Sequence, residues 1–217
     1  MEIPGHTLLA HYSQLHSKNR DDKEIESEPV QNKIADNEKL NSPFSKKEFK
    51  MVIENMKRNK SEGYDCISNE MIIESPGIVL NLINRYVNLC LEKSLVPNSW
   101  TLELITLIHK KGDERDLGNY RGICVSSALL KIICTLLNNR IQSLCSEYGL
   151  FSKNQIGFQK NCRTADHIFT IKTLVKKYIS KGKKKLYVCF VDFEKAFDSV
   201  WHKGLFKKLQ SLGIHGK

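Results

Sequence analysis

The sequence predicts a helix-rich chain of mixed class, α+β or α/β, and three observations lead there. Four segments carry apolar residues at the roughly 3.6-residue spacing of an amphipathic helix, and one short segment alternates them. One further run, LYVCFVDF at 186–193, is almost continuously apolar, the pattern of a strand buried on both faces. No internal repeat is present.

Residues 18–41 are polar, with apolar side chains only at Ile25, Val30, Ile34, Ala35 and Leu40. That is too little apolar surface to offset the entropy of ordering, so residues 1–43 are expected to form a flexible leader, with order beginning at Phe44. Ser45 followed three residues later by Glu48 is a capping box, and Phe44 can staple onto Phe49 across it. Phe49, Val52, Ile53 and Met56 then repeat at helical spacing, so a helix is expected to end near Arg58. After the polar turn KSEGYDC (60–66), a second helix is predicted over 77–93, with Leu80, Ile83, Val87 and Leu91 on one stripe and Pro97 stopping it.

Leu102, Leu104, Thr106 and Ile108 alternate, which predicts a strand ending at Lys110. A loop containing Gly112, Asp113, Gly118 and Asn119 leads to a short strand at 121–125. Ser126 or Ser127 can cap a third helix reaching Cys145, its inward stripe Leu130, Ile133, Leu137, Ile141 and Leu144, closed by Gly149. A fourth helix is expected over 164–179, with Ile168, Ile171, Leu174, Val175 and Tyr178 inward. KGKKK (181–185) reads as a turn or a nuclear-import patch, 186–193 as the buried strand, and a last helix follows Asp198.

Composition narrows the function classes. With 41% hydrophobic and 27% charged residues, the 217-residue chain is long enough to bury a core without staples. Seven Cys form no CxxC pair, which argues against a disulfide framework or a Cys-rich zinc site and for small core thiols in a reducing compartment. There is no basic head followed by an apolar run and no membrane-length apolar stretch, so the expectation is an intracellular chain without a membrane partner, in the nucleus or cytoplasm. Charge is uneven: residues 1–100 sum to −2 and residues 101–217 to +12. A basic half beside a neutral one suits either a polyanion-binding surface or plain solubility.

The sharpest chemical feature is Asp192, at the end of the apolar run. A buried, uncompensated carboxylate is costly, so Asp192 should sit at an exposed strand end beside Mg²⁺, a Lys or Arg, or backbone N–H groups. Asp198 stands where the next helix needs an N-cap. Lys110, Lys111 and Arg121 lie on a strand end and across its loop, where Arg by its fork and Lys as a point charge can hold a triphosphate, or simply form a solvated rim. His109 reads as a partly buried strand residue. His6, His11 and His16, five residues apart, suit neither a helix face nor a strand face for metal binding.

Taken in order, SEGYDCISNEM, PNSW…LIHKKGD…NYRGI, NQIGFQKN…RTADHIF and FVDFEKAFDSV resemble the reverse transcriptases of non-long-terminal-repeat (LINE-type) retrotransposons, over residues 44–217. The resemblance implies an α+β fold, the fingers and partial palm of a right-hand polymerase, with 44–185 fingers-like and 186–217 opening the palm. It implies that Asp192 is the first catalytic aspartate, a ligand of two Mg²⁺ ions, and that the backbone carbonyl of Phe193 also touches a metal. Phe197 matches the bulky residue under the incoming sugar, which disfavours a 2′-OH. Lys110 and Arg121 match residues that grip the incoming deoxynucleoside triphosphate. Gly157 and Phe158 match a block near the template, with Arg163 as a backbone contact. The implied partners are an RNA template, a DNA primer and deoxynucleoside triphosphates.

Departures from the family pattern carry their own expectations. No Tyr-x-Asp-Asp string occurs in the sequence, so a chain ending after the first palm aspartate is expected not to polymerise alone. The first block usually reads Lys-Ser-Pro-Gly-Pro-Asp-Gly; Glu62, Tyr64 and Cys66 replace both prolines and the last glycine, and Cys66 would be strained at positive φ. Gln159 and Cys162 stand where arginines are common, which weakens the expected grip on nucleic acid. The function expected is therefore that of a fragment of an RNA-directed DNA polymerase. The alternatives are a non-catalytic nucleic-acid-binding remnant or domesticated protein, or a product that fails to fold because its apolar strand lacks neighbours.

Overall fold

The computed structural model describes Thr7, Ala10 and residues 37–152, 154–179, 185–193, 196–197 and 199–215. Residues 37–43, expected to belong to a flexible leader, are structured. A single turn of helix, α1 (Glu38–Asn41), buries Leu40 against Leu144, with Ile141, Tyr148, Leu150 and Ile214 packed around them. One apolar side chain that finds a distant partner is enough to order a stretch whose composition is otherwise polar. The rest of the expected leader, apart from Thr7 and Ala10, lies outside the described residues.

Helix α2 (Lys46–Glu54) starts as the sequence predicts: Ser45 Oγ accepts from Glu48 N, and the Glu48 carboxylate accepts from Ser45 N at 2.8 Å. It stops before Arg58, at Asn55, whose side-chain amide donates to the Met51 carbonyl at 2.7 Å and competes with the helical ladder. A short helix that periodicity does not reveal, α3 (Asn69–Ile73), is capped by Ser68. Helix α4 (Gly77–Lys93) ends at Ser94 in the left-handed region (φ 52°), ahead of Pro97, and Leu95 N closes the turn on Cys90 O at 3.1 Å. Pro97 instead starts a single 3-10 turn that buries Trp100 edge-on against Tyr86.

Strands β1 (Leu104–His109) and β2 (Tyr120–Val125) form an antiparallel hairpin, with Leu104 opposite Val125 and Ile108 opposite Arg121. Helix α5 (Ala128–Glu147) is capped by Ser127 and closed at Gly149 (φ 58°), where Leu150 N donates to Cys145 O and Gly149 N to Ser146 O. The core lies among α2, α3, α4 and α5: Phe44, Ile72, Val87, Ala128, Ile132 and Leu136 are its most enclosed apolar members. Asn88 acts as a peptide mimic inside it, accepting from Phe44 N and donating to Phe44 O at 3.0 Å.

Beyond α5 the predicted helices form, whereas the predicted strand and the predicted burial do not. Helix α6 (Thr164–Ile179) occupies the expected span, yet Ile168, Ile171, Leu174, Val175 and Tyr178 are all exposed, because no described element packs over that stripe. Residues 186–193 do not form the expected buried strand. Tyr187 and Phe190 are 86% and 79% exposed, and the segment pairs with no other described segment. A strand exists only through a neighbour that takes its N–H and C=O groups, and neither outer edge of the two described strands pairs with 186–193. Helix α7 (His202–Ser211) has Trp201 at its N-cap without a side-chain bond; Asp198, expected there, lies outside the described residues. The chain then returns to α1, where Asn37 donates to Gly213 O at 2.8 Å and accepts from His215 N at 3.0 Å.

None of the seven Cys forms a disulfide, but only Cys90 and Cys145 are core residues, where burial pushes their thiols up. The other five are exposed, so the expectation of small core thiols holds for two positions. Among the described residues no helix is long and apolar enough to cross a membrane.

Candidate functional site

The β1–β2 hairpin carries the basic pair. In an antiparallel ladder directly opposed residues share a face, and residues two apart on one strand share it too. Ile108 opposes Arg121, so Lys110 and Arg121 lie on one face, diagonally adjacent at the hairpin's far end. Lys110 N extends the ladder by donating to Asn119 O at 2.8 Å. The loop between them is braced from within. Asp113 Oδ1 accepts from Arg115 N, Asp116 Oδ1 accepts from Gly118 N at 2.8 Å, and Asn119 donates to Asp113 O. Gly112 (φ 89°) is where the backbone needs glycine: a Cβ there would stand 2.7 Å from Asn119 Nδ2. On the opposite face His109 packs on Tyr120 with ring centroids 5.1 Å apart; it is exposed, not partly buried as expected, because this two-stranded sheet has no covering layer. Lys110, Lys111 and Arg121 are all exposed.

The hairpin has a built root. No residue from Leu102 to Ser126 is buried, whereas Trp100 on the incoming side and Ser127 on the outgoing side are 4% and 1% exposed. Ser126 Oγ donates to Glu103 Oε1 across the root at 2.6 Å. Ser127 Oγ donates to Asp65 Oδ2 at 2.6 Å and accepts from Leu129 N. The KSEGYDC turn thus sits against the start of α5, so closely that a Cβ on Gly63 would lie 2.8 Å from Ser127 N. Cys66 does adopt the positive φ (53°) expected to strain it, with its N–H on Gly63 O. The sequence signals this turn by its Gly and Asp, yet nothing local points to Ser127 as their partner.

A second pair comes from the turn before α6 and the segment before α7. Phe158, in the left-handed region (φ 62°) and 87% exposed, meets the Phe197 ring edge-on with centroids 6.1 Å apart. Gly157 beside it has open space where a Cβ would be. The Arg163 backbone N–H donates to Asp166 Oδ2 at 2.7 Å and its side chain is exposed.

Asp192 and Phe193 are exposed, and no described residue pairs with or hydrogen-bonds to the Asp192 carboxylate. Among the described residues it is neither an ion-pair partner nor a cap. No bond links it to Lys110 or Arg121. Among the described residues no three His, Cys, Asp or Glu converge on one point. Asp192 and the Phe193 carbonyl offer hard oxygen donors of the type Mg²⁺ takes, but a two-ion centre needs several carboxylates, and these residues alone do not fit one. Of KGKKK, only Lys185 is among the described residues.

Residues 108–217 match the family described as reverse transcriptase (RNA-dependent DNA polymerase). The chain is 30% identical over 172 residues to a probable RNA-directed DNA polymerase from transposon X-element of Drosophila melanogaster, covering 78% of this chain and 19% of that protein. It is 28% identical over 185 residues to the RNA-directed DNA polymerase from mobile element jockey of the same organism, covering 81% and 20%. It is 29% identical over 175 residues to a retrovirus-related Pol polyprotein from type-1 retrotransposable element R2 of Popillia japonica, covering 79% and 23%. The chain therefore spans about a fifth of the length of these curated relatives.

Proposed function

This chain belongs to the reverse transcriptase family of the non-LTR retrotransposon kind, and we propose that it supplies the fingers (44–185) and the opening of the palm (186–217) of an RNA-directed DNA polymerase. Its partners in this reading are an RNA template, a DNA primer and deoxynucleoside triphosphates, met in the nucleus or cytoplasm. The observation that carries the reading is the shared face of Lys110 and Arg121, inside the family-matched region, at the tip of a hairpin whose root is braced. Arg121 offers a planar fork and Lys110 a mobile point charge, a combination suited to a polyphosphate.

Phe197 lies under the sugar, where its ring disfavours a 2′-hydroxyl. Gly157 and Phe158 border the template strand, and Arg163 contacts its backbone. Asp192 contributes one carboxylate, and Phe193 one carbonyl, towards bound Mg²⁺. Further carboxylates are needed for two ions, so a polypeptide of these 217 residues does not extend a primer on its own.

The test is deoxyadenosine triphosphate binding by the 217-residue chain together with primer extension on an RNA template. Triphosphate affinity that disappears in Arg121→Ala, with no extension, is the expected result. Extension by this polypeptide alone, or affinity indifferent to Arg121, overturns the reading. The net charge of +12 over residues 101–217 favours a second reading, a non-catalytic nucleic-acid-binding protein. That reading predicts RNA affinity falling steeply with salt and no triphosphate binding.

A further inference from the structure

The hairpin that bears Lys110 and Arg121 is a cantilever. None of its residues is buried, so its direction is set where it enters and leaves the core. The incoming side is held by Trp100, edge-on to Tyr86 with centroids 5.6 Å apart. The outgoing side is held by one buried hydroxyl, Ser127, whose proton goes to Asp65 Oδ2 at 2.6 Å. The other oxygen of Asp65 accepts from Ile67 N at 3.3 Å, which ties the carboxylate to its own turn. Gly63 presses backbone on backbone against Ser126 and Ser127, an approach a side chain would forbid. Cys66 holds positive φ in the same turn. Backbone strain that the surroundings maintain marks a place where geometry is specified.

We propose that Asp65 is a positioning residue, which through Ser127 fixes the root of the β1–β2 hairpin and so aims Lys110 and Arg121 at an incoming nucleotide. This rests on the reading of Lys110 and Arg121 as the phosphate grip. Asp65 itself touches no nucleotide. Its loss leaves the buried Ser127 hydroxyl without its acceptor and lets the hairpin swing.

The experiment uses the 217-residue chain and its variants Asp65→Ala, Asp65→Asn, Ser127→Ala and Arg121→Ala. Three quantities are read: Kd for deoxyadenosine triphosphate with Mg²⁺, affinity for an RNA–DNA duplex, and nitrogen relaxation order parameters of the hairpin amides relative to α5. Asp65→Ala should raise the triphosphate Kd about fivefold or more, the effect of losing one buried hydrogen bond, and lower the hairpin order parameters. Duplex affinity should stay unchanged. Asp65→Asn, which keeps one oxygen, should fall between, and Ser127→Ala should repeat the loss.

A triphosphate Kd unmoved in Asp65→Ala overturns the proposal, as does a parallel fall in duplex affinity, which would mean general damage. If Asp65→Ala does not melt cooperatively, Asp65→Asn and Ser127→Ala decide by the same criteria. A wild-type chain without triphosphate affinity overturns the phosphate-grip reading instead. Unchanged hairpin order parameters in Asp65→Ala would then separately overturn the role of Asp65 at the root.

Discussion

Arg140 reaches back 92 residues to grip Glu48 with both prongs of its guanidinium, Nε to Oε1 at 2.7 Å and Nη2 to Oε2 at 3.0 Å. The same guanidinium donates to the Leu40, Ser42 and Pro43 carbonyls and lies 4.3 Å from the centre of the Phe44 ring. It binds α1, the start of α2 and the middle of α5 into one unit, and its side chain is only 9% exposed. Glu48 serves twice, as the partner of Arg140 and as the reciprocal arm of the Ser45 capping box.

Arg140→Ala should therefore cost about 3 kcal/mol in urea denaturation, because it strips a partner from a half-buried carboxylate and three carbonyls at once. Arg140→Lys should recover less than half of that, since an ammonium cannot reproduce the two-pronged geometry. A loss below about 1 kcal/mol in Arg140→Ala would show the cluster to be incidental.

The hydrogen bond from Arg140, chiefly, and those from Ser45 hold the Glu48 carboxyl at about 2, below its ordinary 4.5. A carboxylate depressed in the folded state binds its proton more readily when unfolded. Its contribution is present above pH 4.5 and lost as the pH falls from there through about 2. Urea midpoints taken from pH 6 downwards should fall across that window, and Glu48→Gln should flatten the fall.

Cys66 carries a side chain at a φ of 53°, a conformation that costs an L-residue with a Cβ about 1 kcal/mol. Cys66→Gly should raise stability by about that amount, less the glycine entropy lost on folding. A lowered melting temperature would mean that the thiol itself packs usefully.

Burial separates the two ends of the chain. Ile132, 1% exposed in α5, should cost about 3 kcal/mol on change to Ala, whereas Phe169, 71% exposed in α6, should change stability by less than about 0.5 kcal/mol on change to Ser. Equal losses in the two variants, measured by calorimetry, would show that something covers α6 in solution.

Local features can be read from the order of residues alone. Helix spans follow from apolar spacing, the start of α2 from Ser45 and Glu48, the end of α5 from Gly149, and the hairpin from alternation around a Gly- and Asp-bearing loop. Each of these depends on interactions within a few residues, so it can be read from neighbours in the chain. The basic pair was legible for the same reason: Lys110 and Arg121 flank one turn. The rest depends on contacts between segments far apart in the chain. Asp65 meets Ser127 across 62 residues and Arg140 meets Glu48 across 92, and no periodicity encodes either meeting. Leu40 is ordered by Leu144, while the equally apolar stripe of α6 and the run 186–193 are left uncovered. Apolar patterning states that a face can be buried. Whether it is buried, and whether an apolar run becomes a strand, depends on a second element arriving to pair with it.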